Sequence, residues 1–324
     1  MSYVAAIDVG GTTMKGGFVT RDGTIHAFER RPTPRADGPS AVVAAVSAFV
    51  ADLARPRDGV RPLAVGLAVP GLVTPTHAVF SAAFGWRDVP ASAFAADVPV
   101  PVALGHDVRS AGEAELAYGG DVRSAGDAGL AYGGDVRSAG DAALAYGDGR
   151  RDVLYLPIGT GIAGAVVLSG ALYGGAGGWA GQIGHIPVRP GGVACGCGQR
   201  GCLAAYASGG ALAARCGVDG AEEVLRRFLD GDARAAEVWG EAVEALALAL
   251  TTYTLLLDPA AVVIGGGVSQ AGEALLAPLR AALTGRLAFR RAPEVRASSL
   301  GALAGLMGAG LLGWRAVPGA SGRS

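Results

Sequence analysis

The residues of this sequence best suited to catalysis lie in a segment that occurs three times in tandem. The copies begin at Asp107, Asp121 and Asp135, have 14 residues each, are identical at 11 positions, and end at Asp148. The first aspartate closely follows the apolar run 98–104, which predicts a β-strand. A carboxylate at the carboxyl end of a sheet strand is a common place for catalytic chemistry. The sequence therefore offers three candidate bases where a reaction needs one.

Three glycine-rich loops follow predicted strands and could bind phosphate groups. Their residues are Gly10, Gly11, Thr12 and Thr13, then Gly159, Thr160 and Gly161, and last Gly265, Gly266 and Gly267. Backbone N–H groups in such loops approach phosphate oxygens closely, and threonine hydroxyls add donors. Asp8, just before the first loop, could hold a magnesium ion through water. Together the loops predict a nucleotide site, although none matches the pattern of P-loop NTPases.

Three of the four cysteines have the spacing of a metal site. Cys195, Cys197 and Cys202 lie within eight residues, and His185 lies ten residues before the first of them. Three thiolates and one imidazole complete a tetrahedral zinc site with no open position, which is the pattern of structural rather than catalytic zinc. Free buried thiols are the alternative. Cys216 lies outside the cluster in a helical context, and we expect it in the core.

The composition is that of a near-neutral globular protein. The chain has 324 residues, a formal net charge of −1 and 51% hydrophobic residues. It has no basic run of the kind typical of nucleic-acid binders, and no uninterrupted apolar run approaches the ~20 residues that a membrane helix needs. The N-terminal residues do not read as a signal peptide. We therefore expect a cytoplasmic protein that binds neither nucleic acid nor a membrane.

The order of the predicted elements indicates an α/β protein. We predict strands over 3–9, 14–20, 24–30, 63–69, 151–158, 162–169 and 261–264, and helical segments over 40–53, 204–257 and 301–314. The second half again begins with a strand, a glycine turn and a strand, which predicts two related lobes. Lobes of this kind usually face each other across a ligand cleft.

An ordered set of motifs resembles the ROK family of repressors, open reading frames and kinases, and specifically its glucokinase-like sugar-kinase branch. The motifs are DVGGTTMKGG at 8–17, VPGLV at 69–73, HDV at 106–108, the stretch 158–185 ending in GQIGH, CGCGQRGCL at 195–203, VVIGGGVS at 262–269 and SLGALAGLMGAGLLG at 299–313. The resemblance implies an actin-like, hexokinase-like (ribonuclease H-like) fold of two lobes. It also implies ATP with magnesium, transfer of a phosphoryl group to a sugar hydroxyl, and a homo-dimer or homo-tetramer.

The same resemblance assigns roles to individual residues. Asp107 would be the base that accepts the proton of the sugar hydroxyl. Asp8, the first two glycine loops and Lys15 would serve the phosphates, and 265–268 would line the adenosine side. Sugar binding would fall to Gly71, His106, Asp107, Gln182 and His185. Asp107 could also cap the helix that it begins, and this structural role is compatible with its role as the base.

Several positions depart from the family pattern at the sugar site. They are His106 and Arg109, where the family usually has asparagines, Gln182 and Ala204, where it usually has glutamates, and Ala83, where an asparagine is usual. Each missing hydrogen-bond partner typically costs ~1–3 kcal/mol. Two hypotheses follow: the acceptor is a sugar or sugar derivative unlike glucose, or the chain is a ROK-derived sugar-binding or regulatory protein with weak or no turnover. A repressor is disfavoured, because the first phosphate motif begins at Asp8 and leaves no room for a preceding DNA-binding segment.

The repeats lengthen the expected connection between the base and the second loop by two copies. The first copy is the best candidate for the original helix, because it directly follows the strand and alone keeps Glu115. We predict that copies 2 and 3 form an outward and returning helical excursion within 107–148, with the third copy in the original place as the alternative. The predicted lobes are 1–117 with the C-terminal helix of about 299–324, and 118–298 with the zinc knuckle.

Overall fold

The structure is a computed structural model that describes residues 2–57, 59–96, 98–119 and 152–318. The second and third repeat copies lie outside the described residues, so the helical excursion and the lobe boundary at 117/118 stay predictions. The chain divides into two compact units, one of residues 1–148 with 303–324 and one of residues 149–302.

The described elements alternate as the sequence predicted. The strands are β1 (Val4–Val9), β2 (Thr13–Val19), β3 (Ile25–Pro32), β4 (Val65–Val69), β5 (Leu72–Val73), β6 (His77–Ser81), β7 (Trp86–Pro90), β8 (Val102–His106), β9 (Val153–Pro157), β10 (Ala165–Leu168), β11 (Ala171–Leu172), β12 (Ala261–Gly265) and β13 (Glu294–Ala297). The α-helices are α1 (Pro39–Ala54), α2 (Asp107–Tyr118), α3 (Ala204–Ala207), α4 (Gly209–Cys216), α5 (Ala221–Leu229), α6 (Ala233–Leu257), α7 (Glu273–Arg286) and α8 (Ala304–Ala316).

Each unit is built on a five-stranded sheet with the same topology. In the first unit the order is β3-β2-β1-β4-β8, and in the second it is β11-β10-β9-β12-β13. In both, the first three strands are antiparallel, and the third, fourth and fifth are parallel. The two related halves that the strand–glycine–strand units predicted are therefore present.

Helix α8 covers one face of the first sheet at unusually short range. β1 and β4 are buried at every position, which is typical of parallel strands covered on both faces. A Cβ at Gly66 in β4 would overlap the carbonyl oxygen of Ala309 and lie 2.6 Å from the backbone nitrogen of Gly313. A Cβ at Gly308 would likewise overlap the backbone of Ser110 in α2. The small residues of α8 thus let it pack closely on both β4 and α2.

The core of the second unit is dominated by the long helix α6. Its buried face includes Val238, Leu246 and Leu250 and belongs to one cluster with the strand residues Leu154 and Ile264. By length and composition, α6 is apolar enough to cross a membrane, but 56% of its apolar window is buried inside the unit. Such burial is typical of the core helix of a globular protein.

Two predicted elements differ from the structure, and one small sheet was not predicted. The strand predicted over 98–104 begins at Val102, because Pro99 and Pro101 cannot donate backbone hydrogen bonds to a ladder. The helical stretch 204–257 is four helices, interrupted at Ser208, at 217–220 and at 230–232. The small sheet of β5, β6 and β7 was not predicted.

Candidate functional site

The carboxyl ends of β1, β4 and β8 bring acidic groups of the first unit to one edge of its sheet. Asp8 near the end of β1 is 8% exposed and lies opposite Lys15 in the β1–β2 pairing. The Lys15 Nζ is 3.3 Å from the Asp8 Oδ2. His106 ends β8 in register with Val69 of β4, and Asp107 follows at once. The structure therefore brings Asp8, Lys15 and Asp107 into one region, in which the charge of Asp8 acts on the Asp107 carboxyl group.

The first glycine loop is a tight turn held by backbone contacts. The Gly10 N–H donates to the Thr13 carbonyl at 3.1 Å, and a Cβ at Gly10 would lie 2.8 Å from that oxygen. The Thr33 hydroxyl donates to the Gly10 carbonyl at 2.9 Å, and the Thr33 N–H donates to the Thr12 carbonyl at 3.0 Å. Sequence reasoning did not single out Thr33, which lies 23 residues away in the chain.

The amino end of helix α8 also approaches this edge. A Cβ at Gly305, the second residue of the helix, would overlap the Asp8 carboxylate. Helix amino ends favour nearby negative charge because their backbone N–H groups point outward. Gly305 therefore lets a helix terminus and a lysine flank the same carboxylate, a contact that only the tertiary structure reveals.

Asp107 is the first residue of α2, and its neighbour His106 is the N-cap. The His106 Nδ1 accepts from the Arg109 N–H at 3.3 Å, and the Asp107 Oδ1 accepts from the Val108 N–H at 2.7 Å. The sequence allowed Asp107 itself as the cap. The structure places the cap one residue earlier, because His106 keeps extended backbone angles while Asp107 is already helical.

The surroundings of Asp107 favour its neutral form. Burial raises the pKa of Asp107, the charge of Asp8 raises it further, and a positive charge on His106 would oppose both effects. Burial lowers the pKa of His106, with the nearby Arg109 acting in the same direction and Asp107 against it. A carboxyl group whose pKa moves toward the working pH is a better general base than an ordinary aspartate.

In the second unit, the other two glycine loops lie side by side at the carboxyl ends of the parallel strands β9 and β12. The Ile158 N–H donates to the Gly265 carbonyl at 2.9 Å, and the Val268 N–H donates to the Ile158 carbonyl at 3.0 Å. Gly266 has a φ of 78°, and a Cβ there would lie 2.5 Å from the Ile158 oxygen. By contrast, a Cβ at Gly159, Gly161 or Gly267 would meet nothing within 4 Å. These three positions leave open space of the kind a phosphate-binding loop needs.

The remaining predicted sugar residues are divided between the units. Gly71 belongs to the first unit with His106 and Asp107. Its φ is 118°, and a side chain there would overlap the Phe80 backbone. Gln182 and His185 belong to the second unit, where Gln182 precedes the short 3-10 helix Ile183–His185.

The predicted metal ligands of the second unit do come together. The ligand atoms of His185, Cys195, Cys197 and Cys202 all lie within 4.8 Å of one another. The His185 Nδ1 is 3.8 Å from the Cys195 Sγ, and the Cys197 and Cys202 Sγ atoms are 3.8 Å apart. Burial lowers the pKa of His185, which favours the neutral imidazole that a metal requires. The donor set fits tetrahedral zinc. Cys216 lies apart and packs against the core.

A neighbouring aromatic and charged cluster supports the loop of the metal ligands. The Tyr206 hydroxyl accepts from the Val193 N–H at 2.9 Å, and the guanidinium groups of Arg189 and Arg215 lie 4.9 and 5.3 Å from its ring centroid. Both arginines form ion pairs with Glu241 of α6. Sequence reasoning missed this support, since its members are spread over more than fifty residues.

Comparison with known proteins agrees with this architecture. The family model of the ROK family matches residues 4–125 and 130–315. The glucokinase of Halalkalibacterium halodurans is 30% identical over 96% of this chain and 94% of its own length, and that of Thermotoga maritima is 30% identical over 94% of each.

Solved structures resemble the chain over its whole length as well. The ROK hexokinase of Thermus thermophilus is 31% identical with a TM-score of 0.72, and covers 97% of this chain and 98% of its own. A Streptomyces griseus ROK glucokinase in complex with glucose and AMPPNP is 27% identical with a TM-score of 0.79, over 97% of this chain and 100% of its own. The predicted actin-like α/β fold is confirmed. The chain belongs to the ROK family.

Proposed function

We propose that this chain is an ATP-dependent sugar kinase that phosphorylates a hydroxyl of a sugar or sugar derivative. The observation that carries the proposal is the partly buried carboxyl group of Asp107 at a strand end, near the Asp8–Lys15 pair. Relatives named as glucokinases span nearly the whole chain. The alternative, a ROK-derived binding protein without turnover, is not favoured, because the base and the phosphate loops are retained.

The role proposed for Asp107 is to take the proton of the acceptor hydroxyl as the phosphoryl group is transferred. The proton passes to the carboxylate, and the hydroxyl oxygen forms the new bond to phosphorus while the bond to ADP breaks. A positioned base of this kind contributes typically ~10²–10⁴-fold to the rate. The raised pKa of Asp107 supports this role because it makes the carboxylate a stronger proton acceptor.

The phosphates of ATP would be held by the glycine loops. In the first unit, the N–H groups of 10–13 and the ammonium of Lys15 offer donors and positive charge beside Asp8. Magnesium, when bound with ATP, would neutralise developing phosphate charge, and Asp8 is placed to hold it through water. In the second unit, the open loop at 159–161 would serve the phosphates and 265–267 the adenosine side.

The cysteine cluster would hold a structural zinc ion through His185, Cys195, Cys197 and Cys202. Such an ion would fix the loop and the orientation of the His185 ring. Its four protein ligands leave no position for substrate. We expect the enzyme to act in the cytoplasm as a homo-dimer or homo-tetramer.

The acceptor is proposed to differ from glucose. Gly71, Asp107, Gln182 and His185 remain the proposed sugar-binding residues. An amide at Gln182 offers donors where the family pattern has a carboxylate. A site that loses an acceptor and gains donors favours sugars whose substituents accept hydrogen bonds, such as acyl or carboxylate groups.

An ADP-release assay across a panel of acceptors tests the proposal directly. The panel should contain glucose, mannose, their 2-amino and N-acetylated forms and the corresponding sugar acids, each with ATP and magnesium. We expect turnover above background with at least one of them and a large loss in Asp107→Asn. Sugar binding by calorimetry without any turnover would instead favour a binding protein.

The single lysine allows a separate test of the phosphate site. Because Lys15 is the only lysine, an amine-reactive ATP analogue can label only this side chain and the α-amino group of the chain. We expect labelling of Lys15, identified by mass spectrometry. ATP with magnesium should prevent this labelling, whereas the same buffer without nucleotide should not. Labelling of Lys15 at an unchanged rate in saturating ATP would exclude it from the phosphate site.

A further inference from the structure

We infer that His106 is a positioning residue for Asp107: its unprotonated Nδ1 caps helix α2 beside the Asp107 Oδ1, leaving Oδ2 as the oxygen that receives the acceptor's proton. The inference rests on the proposed function, since Asp107 is the base of that reaction. It gives His106 a role different from the direct sugar contact that the family resemblance implied.

The hydrogen bond at the helix start determines the tautomer of His106. Its Nδ1 accepts from the Arg109 N–H at 3.3 Å. A ring nitrogen accepts only when it carries no proton, so the proton of the neutral ring is on Nε2. The side chain is only 10% exposed, so the ring cannot easily turn to offer the other nitrogen. Burial lowers the pKa of His106, which supports the neutral form.

The same nitrogen lies 3.3 Å from the Asp107 Oδ1. In the neutral tautomer this contact places a lone pair, not a donor, beside the carboxylate. The Oδ1 has one donor, the Val108 N–H at 2.7 Å, and Oδ2 has no hydrogen-bond partner among the described residues. A carboxylate with few donors is less stabilised in its charged form and is therefore a stronger base.

The other charged groups near this pair do not change the argument. Arg109 lies on the same helix, and the neighbouring strands contribute Asp8 and its partner Lys15. The strands β4 and β5, which pack against β8, contain no ionisable side chain in VGLAV and LV. On α8, Arg315 pairs with Glu113 at 2.8 Å. Within the described elements, the charge of His106 thus has a larger effect on the Asp107 carboxyl group than that of any other side chain.

Replacement of His106 by asparagine separates positioning from a purely structural role. Asparagine is a better N-cap than histidine and keeps the helix start, but its amide can donate to the Asp107 Oδ1. The carboxylate then becomes a weaker base. We expect kcat on the plateau to fall by about 3–10-fold, a fraction of what a general base supplies. The acidic limb of the pH profile of kcat should also move to lower pH.

The experiment compares full-length wild type with His106→Asn and His106→Ala, using the acceptor that gives the highest turnover in the panel. It measures kcat and the acceptor KM from pH 5 to 9, and the Tm of each variant. His106→Ala loses the cap and should have a lower Tm, whereas His106→Asn should not. A changed acceptor KM with an unchanged pH profile would assign His106 to sugar binding and overturn the inference.

A measurement independent of turnover keeps the inference testable if the kinase proposal fails. The chain has four histidines, so the ¹⁵N ring signals of His106 can be assigned by their loss in His106→Asn. We expect an unprotonated Nδ1 and a protonated Nε2 at pH 7. A proton on Nδ1, or an imidazolium at that pH, would overturn the inference whatever the enzyme's activity.

Discussion

Replacing Asp107 by asparagine removes the charge of the proposed base while keeping its shape, and so separates catalysis from folding. The Asn Oδ1 can still accept from the Val108 N–H, which now lies 2.7 Å from the carboxylate. Without a base, kcat should fall by ~10²–10⁴-fold, which corresponds to ~3–5 kcal/mol of transition-state stabilisation.

The same substitution should not destabilise the protein at neutral pH. Burial raises the pKa of Asp107, so the folded protein holds a proton there more tightly than the unfolded chain does. The ionised carboxylate therefore lowers the free energy of unfolding above the folded-state pKa, and this cost fades as the pH falls through that pKa toward the ordinary aspartate value of 3.8. Asparagine removes the cost. Its stabilising effect should be present at pH 8 and shrink at pH 4, close to the ordinary value of 3.8.

The assay combines ADP release with thermal denaturation at these two pH values. The repeats supply matched controls, because Asp121→Asn and Asp135→Asn alter the same hexapeptide, DVRSAG. We expect both controls to keep turnover. Turnover that survives in Asp107→Asn and disappears in Asp135→Asn would refute the assignment of the first copy. A Tm of Asp107→Asn that falls at pH 8 more than at pH 4 would refute the reasoning about the desolvated charge.

Two further predictions concern stability. Cys202→Ser should release zinc, measured by metal analysis, and lower Tm: a loss of ~2 kcal/mol, a small part of what structural zinc contributes in small domains, corresponds to ~4–8 °C in a unit of this size. The control Cys216→Ser should retain the metal. Zinc loss without a change in Tm would exclude a structural role. Gly66→Ala should lower the free energy of unfolding by ~1–3 kcal/mol or more, because its Cβ would overlap the Ala309 carbonyl of α8. The control variant Gly240→Ala, on the exposed face of α6, should raise the free energy of unfolding by ~0.5–1 kcal/mol. Equal changes in the two variants, measured by urea denaturation, would contradict the close packing of α8 on β4.

Local signals in the sequence were enough to predict most elements of the two sheets and the metal cluster. Strand–glycine–strand patterns are short-range, and the ligands Cys195, Cys197 and Cys202 are close in sequence. The contacts that complete the sites are long-range and were not predicted. Thr33 holds the first loop, and Gly305 lets α8 approach Asp8. No sequence pattern distinguishes either from an ordinary turn or helix residue.

The identity of the helix cap shows a second limit. Aspartate is a common N-cap and histidine is a rare one, so propensity alone favours Asp107. The structure selects His106 because β8 continues in extended conformation through that residue before the helix begins. The pairing of β8 with β4 thus sets where the strand ends and the helix begins. It thereby decides that His106 caps the helix and that Asp107, the proposed base, does not.

The packing of α2 also bears on which repeat copy can occupy its place. Glu115 is fully buried, and its carboxylate lies against Gly119, whose N–H donates to the Glu115 carbonyl at 2.9 Å. The other copies have Gly129 and Ala143 at this position. Either would remove a buried side chain and leave a cavity, and a glycine within a helix costs ~1 kcal/mol more. Eleven identical positions make the copies almost interchangeable, so the difference at this buried position favours the first copy in the place of α2, and with it Asp107 as the proposed base.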